Sequence, residues 1–263
     1  MGPTTTRPLA VVTGASSGIG YELARCCAVN GFDLVIAADQ AKIDTAAADF
    51  RPLGCKVDAV QADLSTLDGI DRLYAAIAGR PVAVLCANAG RGLGNGFLDQ
   101  DFTTVRHVID TNITGTLYLV QKVGRDMRAA RAGRILITGS IAGYTPGMYH
   151  AVYHASKAFL DSFSGALRAE LKDSGIAVTL LMPGATKTDF FERADLEHTK
   201  LGQGKMDDAA AVAQQGFDAM MNGVGQVVTG WHNKFLVAMA NVIPASVRAQ
   251  MFGKQAKPHS AHE

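Results

Sequence analysis

The chain has 263 residues, 48% of them apolar and 19% charged. Its 25 Lys and Arg stand against 24 Asp and Glu, a net charge of +1, which excludes an electrostatic nucleic-acid binder. The apolar and aromatic content excludes a disordered chain, and a chain this long buries about 70–75% of its unfolded surface without help from disulfides or metals. One α/β domain spanning 1–263 is the expectation.

Cys26, Cys27, Cys55 and Cys86 form no CxxC pair and no zinc-spaced cluster with histidine. They read as small buried hydrophobes of a reducing cytoplasm. No long apolar stretch follows the first methionine, so no secretion signal is read. No stretch reaches the ~20 apolar residues of a membrane span. A soluble, cytoplasmic protein is expected.

Strand and helix signals alternate along the chain. LAVVT (9–13) ends in a glycine-rich turn, and a helical pattern then closes on Asn30-Gly31. DLVIAA (33–38) follows. A helical stretch from about 41 leads to KVDAVQ (56–61), and PVAVLCA (81–87) comes next. One long helix is predicted over 102–130, then GRILITG (133–139), a helix over 153–174, IAVTLLM (176–182), a short helix over 207–222 and a possible seventh strand, QVVTG (226–230). Continuous Val/Ile/Leu runs separated by helices mean strands covered on both faces of a parallel sheet. The predicted fold is a doubly wound, mostly parallel sheet of the Rossmann type, with about seven strands. Such sheets bind ligands beyond the carboxyl ends of their strands, so residues just after each apolar run are the informative ones.

After the first run comes Thr13-Gly14-Ala15-Ser16-Ser17-Gly18-Ile19-Gly20. Glycines here let backbone approach a pyrophosphate at a helix N-terminus, although the spacing is Gly-x-x-x-Gly-x-Gly. Asp39 ends the second run, where an acid accepts hydrogen bonds from an adenosine ribose or merely caps a helix. Asp63 follows the third run and Asn88-Ala89-Gly90 the fourth; each alone could be a turn residue. Asn112 falls inside the long helix, where an asparagine taken alone faces solvent. Ser140 ends the fifth run, and Tyr153 and Lys157 share a helix face thirteen and seventeen residues on. An ammonium beside a phenol lowers its pKa and suits it to proton transfer with an alcohol oxygen.

Together, Thr13-Gly14-xxx-Gly18-x-Gly20, Asp63, Asn88-Ala89-Gly90, Asn112, Ser140, Tyr153-xxx-Lys157 and Pro183-Gly184-xxx-Thr188 resemble the short-chain dehydrogenase/reductase family, compact single-domain branch. The resemblance covers about 7–190. It implies hydride transfer between a nicotinamide dinucleotide and an alcohol or carbonyl. By the same resemblance Tyr153 is the general acid/base and Ser140 polarises the substrate oxygen. Lys157 binds the nicotinamide ribose and lowers the Tyr153 pKa, and Asn112 holds a relay water. Gly14, Gly18, Ile19 and Gly20 line the pyrophosphate, Asp63 contacts adenine, Asn88 shapes the cofactor floor, and Thr188 binds the carboxamide or phosphate side. Ser16, Ser17, Asp39, Leu64, Ala89, Gly90, Pro183 and Gly184 complete the expected cofactor set, and no metal is expected.

Asp39 favours NAD over NADP, although NAD-preferring relatives carry the acid one residue earlier, and Arg25 or Lys42 could still reach a 2′-phosphate. Segments 91–97, 141–152 and 190–201 are expected to frame a pocket for a small hydrophobic alcohol, ketone or aldehyde, with Phe190 and Phe191 as a lid. His150 and His154 read as packing residues. The substrate-loop region is drawn at about 186–225, with 202–204 as a mobile loop.

The segment 232–254 reads as basic and amphipathic. From 232 to the end, Lys234, Arg248, Lys254 and Lys257 face only Glu263, and Phe235, Met239, Ile243, Val247 and Met251 recur at near-helical spacing, interrupted by Pro244. It is expected to pack on the cleft or a neighbouring subunit, with weak membrane-surface contact as the alternative, and to fray from about Gln255. A homo-dimer or homo-tetramer is implied by the resemblance. Two other functions compete: a dinucleotide-binding redox sensor or scaffold without turnover, and a nucleotide-sugar epimerase or dehydratase.

Overall fold

The computed structural model describes residues 7–240 and 243–258. Seven apolar runs form strands: β1 (Leu9–Thr13), β2 (Asp33–Ala38), β3 (Val57–Gln61), β4 (Val82–Ala87), β5 (Gly133–Thr138), β6 (Ile176–Met182) and β7 (Gln226–Val228). They make one sheet in the order β3-β2-β1-β4-β5-β6-β7, with every pairing parallel. All five residues of β1 are buried, because helices cover both sheet faces.

The helices are α1 (Gly18–Val29), α2 (Lys42–Phe50), α3 (Leu67–Ile77), α4 (Phe102–Ile109), α5 (Thr116–Ala130), α6 (Ala151–Glu170), α7 (Phe190–Arg193), α8 (Ala209–Met221), α9 (Trp231–Ala240) and α10 (Ala245–Ala256). On one sheet face Leu23, Ile43, Phe50, Phe217 and Met220 of α1, α2 and α8 close over β1, β2 and β4. On the other, Ile70, Leu73, Leu119, Val123 and Leu160 of α3, α5 and α6 do the same. Strand order runs outward from β1 to β3, then restarts on the other side of β1 at β4. This reversal opens a crevice beyond the carboxyl ends of β1 and β4.

Two predicted elements differ. The helix predicted over 102–130 is interrupted by a π-helical turn, Asp110–Gly115, between α4 and α5. A Cβ at Gly115 would overlap the Leu64 carbonyl, so the helix runs hard against the loop after β3. The widened turn re-aims its side chains, and Asn112 is fully buried rather than facing solvent.

The C-terminal segment is two helices, with Pro244 at the start of the second. Its apolar stripe is divided: Met239, Ile243 and Met251 line the large cavity, while Phe235 is 59% exposed and Val247 45%. Periodicity says which residues share a face, not which face the body takes. The helix continues through Gln255 to Ala256, so no fraying begins there; the rest of the expected frayed tail, 259–263, lies outside the described residues. No helix among the described residues is long and apolar enough to cross a membrane. The four cysteines are buried and unpaired, and burial pushes the Cys26 thiol up to about 11, which keeps it from thiolate chemistry.

Candidate active site

The crevice is a cavity of about 970 Å³ that runs from the glycine turn after β1 to the N-terminal end of α6 and on to α9 and α10. Gly14 (φ +66°) and Gly18 (φ +58°) take left-handed backbone, which a side chain would strain. A Cβ at Gly20 would overlap the Gly14 carbonyl, and one at Gly18 would come within 2.6 Å of the Thr188 methyl. The Ser17 side chain makes no capping bond to α1, so first-turn amides remain open to an anion. This bare turn fits a dinucleotide pyrophosphate.

Thr13 ties the turn to β4. Its hydroxyl donates to the Cys86 carbonyl at 3.3 Å and accepts from the Asn88 and Ala89 amides at 2.9 and 3.0 Å. The Asn88 amide group donates to the Thr13 carbonyl at 3.1 Å, and its oxygen accepts from Thr138 at 3.0 Å. Asn88 is therefore fixed across three strand ends. Ser16, Ser17, Ile19, Leu64, Ala89, Gly90, Pro183 and Gly184 also line the cavity.

At the end of the cavity near the carboxyl end of β2, Asp39 caps no helix. Its carboxylate pairs with Arg193 of α7 at 2.7 Å and faces Arg91 at 3.8 Å. Arg25 is held by Glu22 at 2.6 Å and Lys42 by Asp189 at 3.2 Å. The cations beside Asp39 are thus Arg91 and Arg193 rather than the Arg25 and Lys42 suggested by the sequence. Asp63 lines the cavity and also accepts from the Ser65 amide at 2.9 Å, a turn role. His107 stands 3.5 Å from it.

At the other end, Ser140, Tyr153 and Lys157 meet in the cavity, and Asn112 is buried behind its lining. The Asn112 oxygen accepts from the Arg91 amide at 2.8 Å, and its NH₂ donates to the Arg91 carbonyl and to Ser156, both at 2.9 Å. Lys157 Nζ donates to the Thr138 carbonyl at 2.7 Å and lies 5.7 Å from the Tyr153 ring centre. A Cβ at Gly90 would stand 3.4 Å from the Asn112 oxygen and 3.5 Å from Lys157 Nζ, so a bare backbone separates the two. The Ser140 hydroxyl donates to the Pro183 carbonyl at 3.3 Å and accepts from the Ala142 amide at 3.1 Å.

The expected fall in the Tyr153 pKa is absent. Burial pushes the phenol up to about 12, against the nearby Ser140 hydroxyl. Burial also brings Lys157 down to about 8. For the phenol, desolvation outweighs the Ser140 hydroxyl and the Asp161 carboxylate adds to the rise.

The cavity wall around Tyr153 is apolar and aromatic. His150 stacks on Tyr153 with ring centres 4.5 Å apart, and Phe190 lies 5.0 Å from Tyr153. Burial brings His150 down to about 3, so it packs as a neutral ring. The His154 Nδ1–H donates to the Thr145 carbonyl at 2.6 Å, and Phe252 of α10 meets the His154 ring at 4.4 Å. Phe190 and Phe191 both line the cavity; Phe191 is buried in a small cluster with Ala194 and Leu196, against which Phe190 packs. Of 91–97, only Arg91 and Gly92 reach the cavity. Arg248 of α10 donates to the Tyr144 carbonyl. Asn233 of α9 donates to Asp207 and to the Thr229 carbonyl, both at 2.8 Å, and packs on Gly184. Sequence reasoning missed Thr138, Arg193 and Asn233; only their places just after a strand or on the cover segments hinted at them.

A family model described as short chain dehydrogenase matches residues 8–198. The chain is 38% identical over 180 residues to a very-long-chain 3-oxoacyl-CoA reductase of Neurospora crassa, covering 66% of this chain and 54% of that one. It therefore spans about half the length of such relatives. An oxidoreductase of Myxococcus xanthus is 31% identical over 240 residues, covering 89% of this chain and 92% of that protein. Among solved structures, a short-chain dehydrogenase from Sphingobium yanoikuyae in complex with NADPH superposes with a TM-score of 0.81 at 28% identity, covering 89% of this chain and 93% of that one. The chain belongs to the short-chain dehydrogenase family of oxidoreductases.

Proposed function

We propose that the protein transfers a hydride between NAD(H) and a small hydrophobic alcohol, ketone or aldehyde, with Tyr153 as general acid/base. The observation that carries this reading is the convergence of Ser140, Tyr153 and Lys157 between a glycine-bared turn and an aromatic wall in one cavity. When bound, the nicotinamide supplies or accepts the hydride. Ser140 holds the substrate oxygen by its hydroxyl. In reduction Tyr153 gives its proton to that oxygen; in oxidation it takes one. Lys157 supplies positive charge beside the phenol, and Asn112 fixes the loop after β4 behind it. His150 and Phe190 exclude water from the reacting carbon. Gly14, Ser16, Ser17, Gly18, Ile19, Gly20 and Thr188 would hold the pyrophosphate side, Asp63 and Leu64 the adenosine side, and Asn88, Ala89 and Gly90 the floor towards Lys157. Pro183 and Gly184 complete the floor.

The very-long-chain reductase relatives act, by name, on 3-oxoacyl-CoA, and the aromatic wall here supports an apolar substrate. The test is to assay purified protein with NADH and NADPH against aryl and alkyl ketones and aldehydes. Oxidation of the dinucleotide that depends on ketone supports the reading. Binding without any turnover supports a sensor or scaffold instead.

Asp39 underlies the preference for NAD(H). Its carboxylate would accept a ribose hydroxyl and repel a 2′-phosphate, while occupying Arg193 and Arg91. Asp39→Asn frees both guanidinium groups. NADPH affinity is expected to rise by about tenfold or more, about 1.4 kcal/mol, read by fluorescence titration. An unchanged ratio of NADPH to NADH affinity would show that Asp39 does not read the ribose.

A homo-oligomer is part of the same reading. It is supported by Phe102 of α4 and Phe159 of α6, 64% and 42% exposed on the helices implied to pair. Light scattering that returns the mass of one chain would contradict it.

A further inference from the structure

Helix α6 carries a third ionisable residue on its catalytic face. Tyr153, Lys157 and Asp161 follow one another at i, i+4 spacing. Both Asp161 carboxylate oxygens are buried, no well-formed hydrogen bond among the described residues reaches either, and the one backbone group that acts on them is the Ser140 amide. A lone carboxylate in such a place is costly, and a purely structural position would be served as well by an apolar side chain.

The surroundings are shaped to admit it. The carboxylate lies beneath the turn that carries Ser140. A Cβ at Gly139 or Gly143, on either side of Ser140, would overlap it. Its electrostatic neighbours are Lys157, which it stabilises as an ammonium, and Tyr153, whose phenolate it opposes. No direct ion pair joins it to Lys157, whose ammonium is held by Thr138. Other packed elements add little. The turn Ile141–Tyr144 brings Tyr144, whose hydroxyl accepts from Gln226 at 3.2 Å. Against Gly139, β6 brings only Leu180.

We propose that Asp161 is a positioning residue for the reaction: its buried carboxylate seats the Ser140 turn and supplies the field that keeps Lys157 and Tyr153 protonated. This rests on the reading of Tyr153 and Lys157 as the proton-transfer pair. Burial raises Asp161 itself to about 7, with Lys157 and the Ser140 amide pulling back. Above that pH it is charged and its field acts.

Asp161→Asn keeps the shape and removes the charge. The Lys157 and Tyr153 pKa values then both fall, so the alkaline limb of kcat/KM for ketone reduction moves to lower pH, by about half a unit or more. A merely structural residue would lower activity uniformly and leave the limb in place. Asp161→Ala is expected to move the limb in the same direction and serves if the first variant does not fold.

Thermal unfolding gives a readout without turnover. A folded-state pKa raised above the ordinary ~3.9 means that wild-type stability declines as pH rises from about 4 through 7. The Asn variant lacks that decline, so its Tm advantage over wild type widens from pH 5 to pH 8. A superimposable pH profile, a shift to higher pH or a pH-independent Tm difference overturns the proposal. A wild-type enzyme with no alkaline limb in reduction would instead overturn the role given to the Lys157 charge, which lies at about 8, and this proposal with it.

Discussion

Tyr153→Phe lowers kcat by about 10²–10⁴-fold, the usual contribution of a positioned acid or base, and leaves the NADH dissociation constant within about fourfold, under 1 kcal/mol. The substitution removes one hydroxyl and keeps the ring. That ring is clamped by His150 at 4.5 Å and Phe190 at 5.0 Å, so the wall stays in place. The high phenol pKa sets the direction of the pH dependence. Raised to about 12, Tyr153 holds its proton throughout the neutral range, as an acid for ketone reduction must. Alcohol oxidation needs the deprotonated oxygen, so its rate rises with pH while reduction stays level until the alkaline limb. Steady-state kinetics in both directions from pH 6 to 10 check both statements. Turnover in Tyr153→Phe close to wild type would remove Tyr153 from the chemistry.

Gly20→Ala separates the dinucleotide site from the proton-transfer site. The added methyl would overlap the Gly14 carbonyl and crowd the Asn88 side-chain amide. Overpacking against rigid backbone costs about 1–3 kcal/mol, and the strain falls on the turn that must approach the pyrophosphate. NADH affinity is expected to fall more than about tenfold, over 1.4 kcal/mol, together with a lower Tm. The control is Gly165→Ala in α6, where an added Cβ meets nothing within 4 Å. That change exchanges a poor helix former for a good one, a gain of about 1 kcal/mol, and NADH binding should not change. Unaltered NADH affinity in Gly20→Ala would mean that the glycine turn is only a tight connection.

The central strands β1, β2, β4, β5 and β6 were legible because they are covered on both faces, so apolar residues run in them without alternation, whereas the edge strand β3 exposes Asp58 and Gln61. Most candidate residues were legible for the same reason: they follow those runs, where a doubly wound sheet opens. What the sequence hid depends on distant partners. The π-helical turn at Asp110–Gly115 is set by the Leu64 carbonyl pressing on Gly115, and no local propensity encodes that contact. Asn112 is buried as a consequence. The Arg193 partner of Asp39 lies 154 residues away in sequence. Asp161 reads in sequence as one more helix surface charge, until Gly139 and Gly143 are seen to fold over it. The C-terminal stripe was read in part: Met239, Ile243 and Met251 line the cavity, but the polar inward contacts of Asn233 and Arg248 and the ring contact of Phe252 carry no periodic signal.

Deuterium transfer tests the central claim most directly. The protein is incubated with NADH or NADPH carrying deuterium on one face of the nicotinamide C4, in parallel with the opposite label, against a panel of aryl and alkyl ketones and aldehydes. Mass spectrometry of the alcohols should find one deuterium on the carbinol carbon from one label only, and Tyr153→Phe should suppress it. No deuterium in any product from either label, with dinucleotide binding intact, would contradict hydride transfer and leave a dinucleotide-binding protein without turnover.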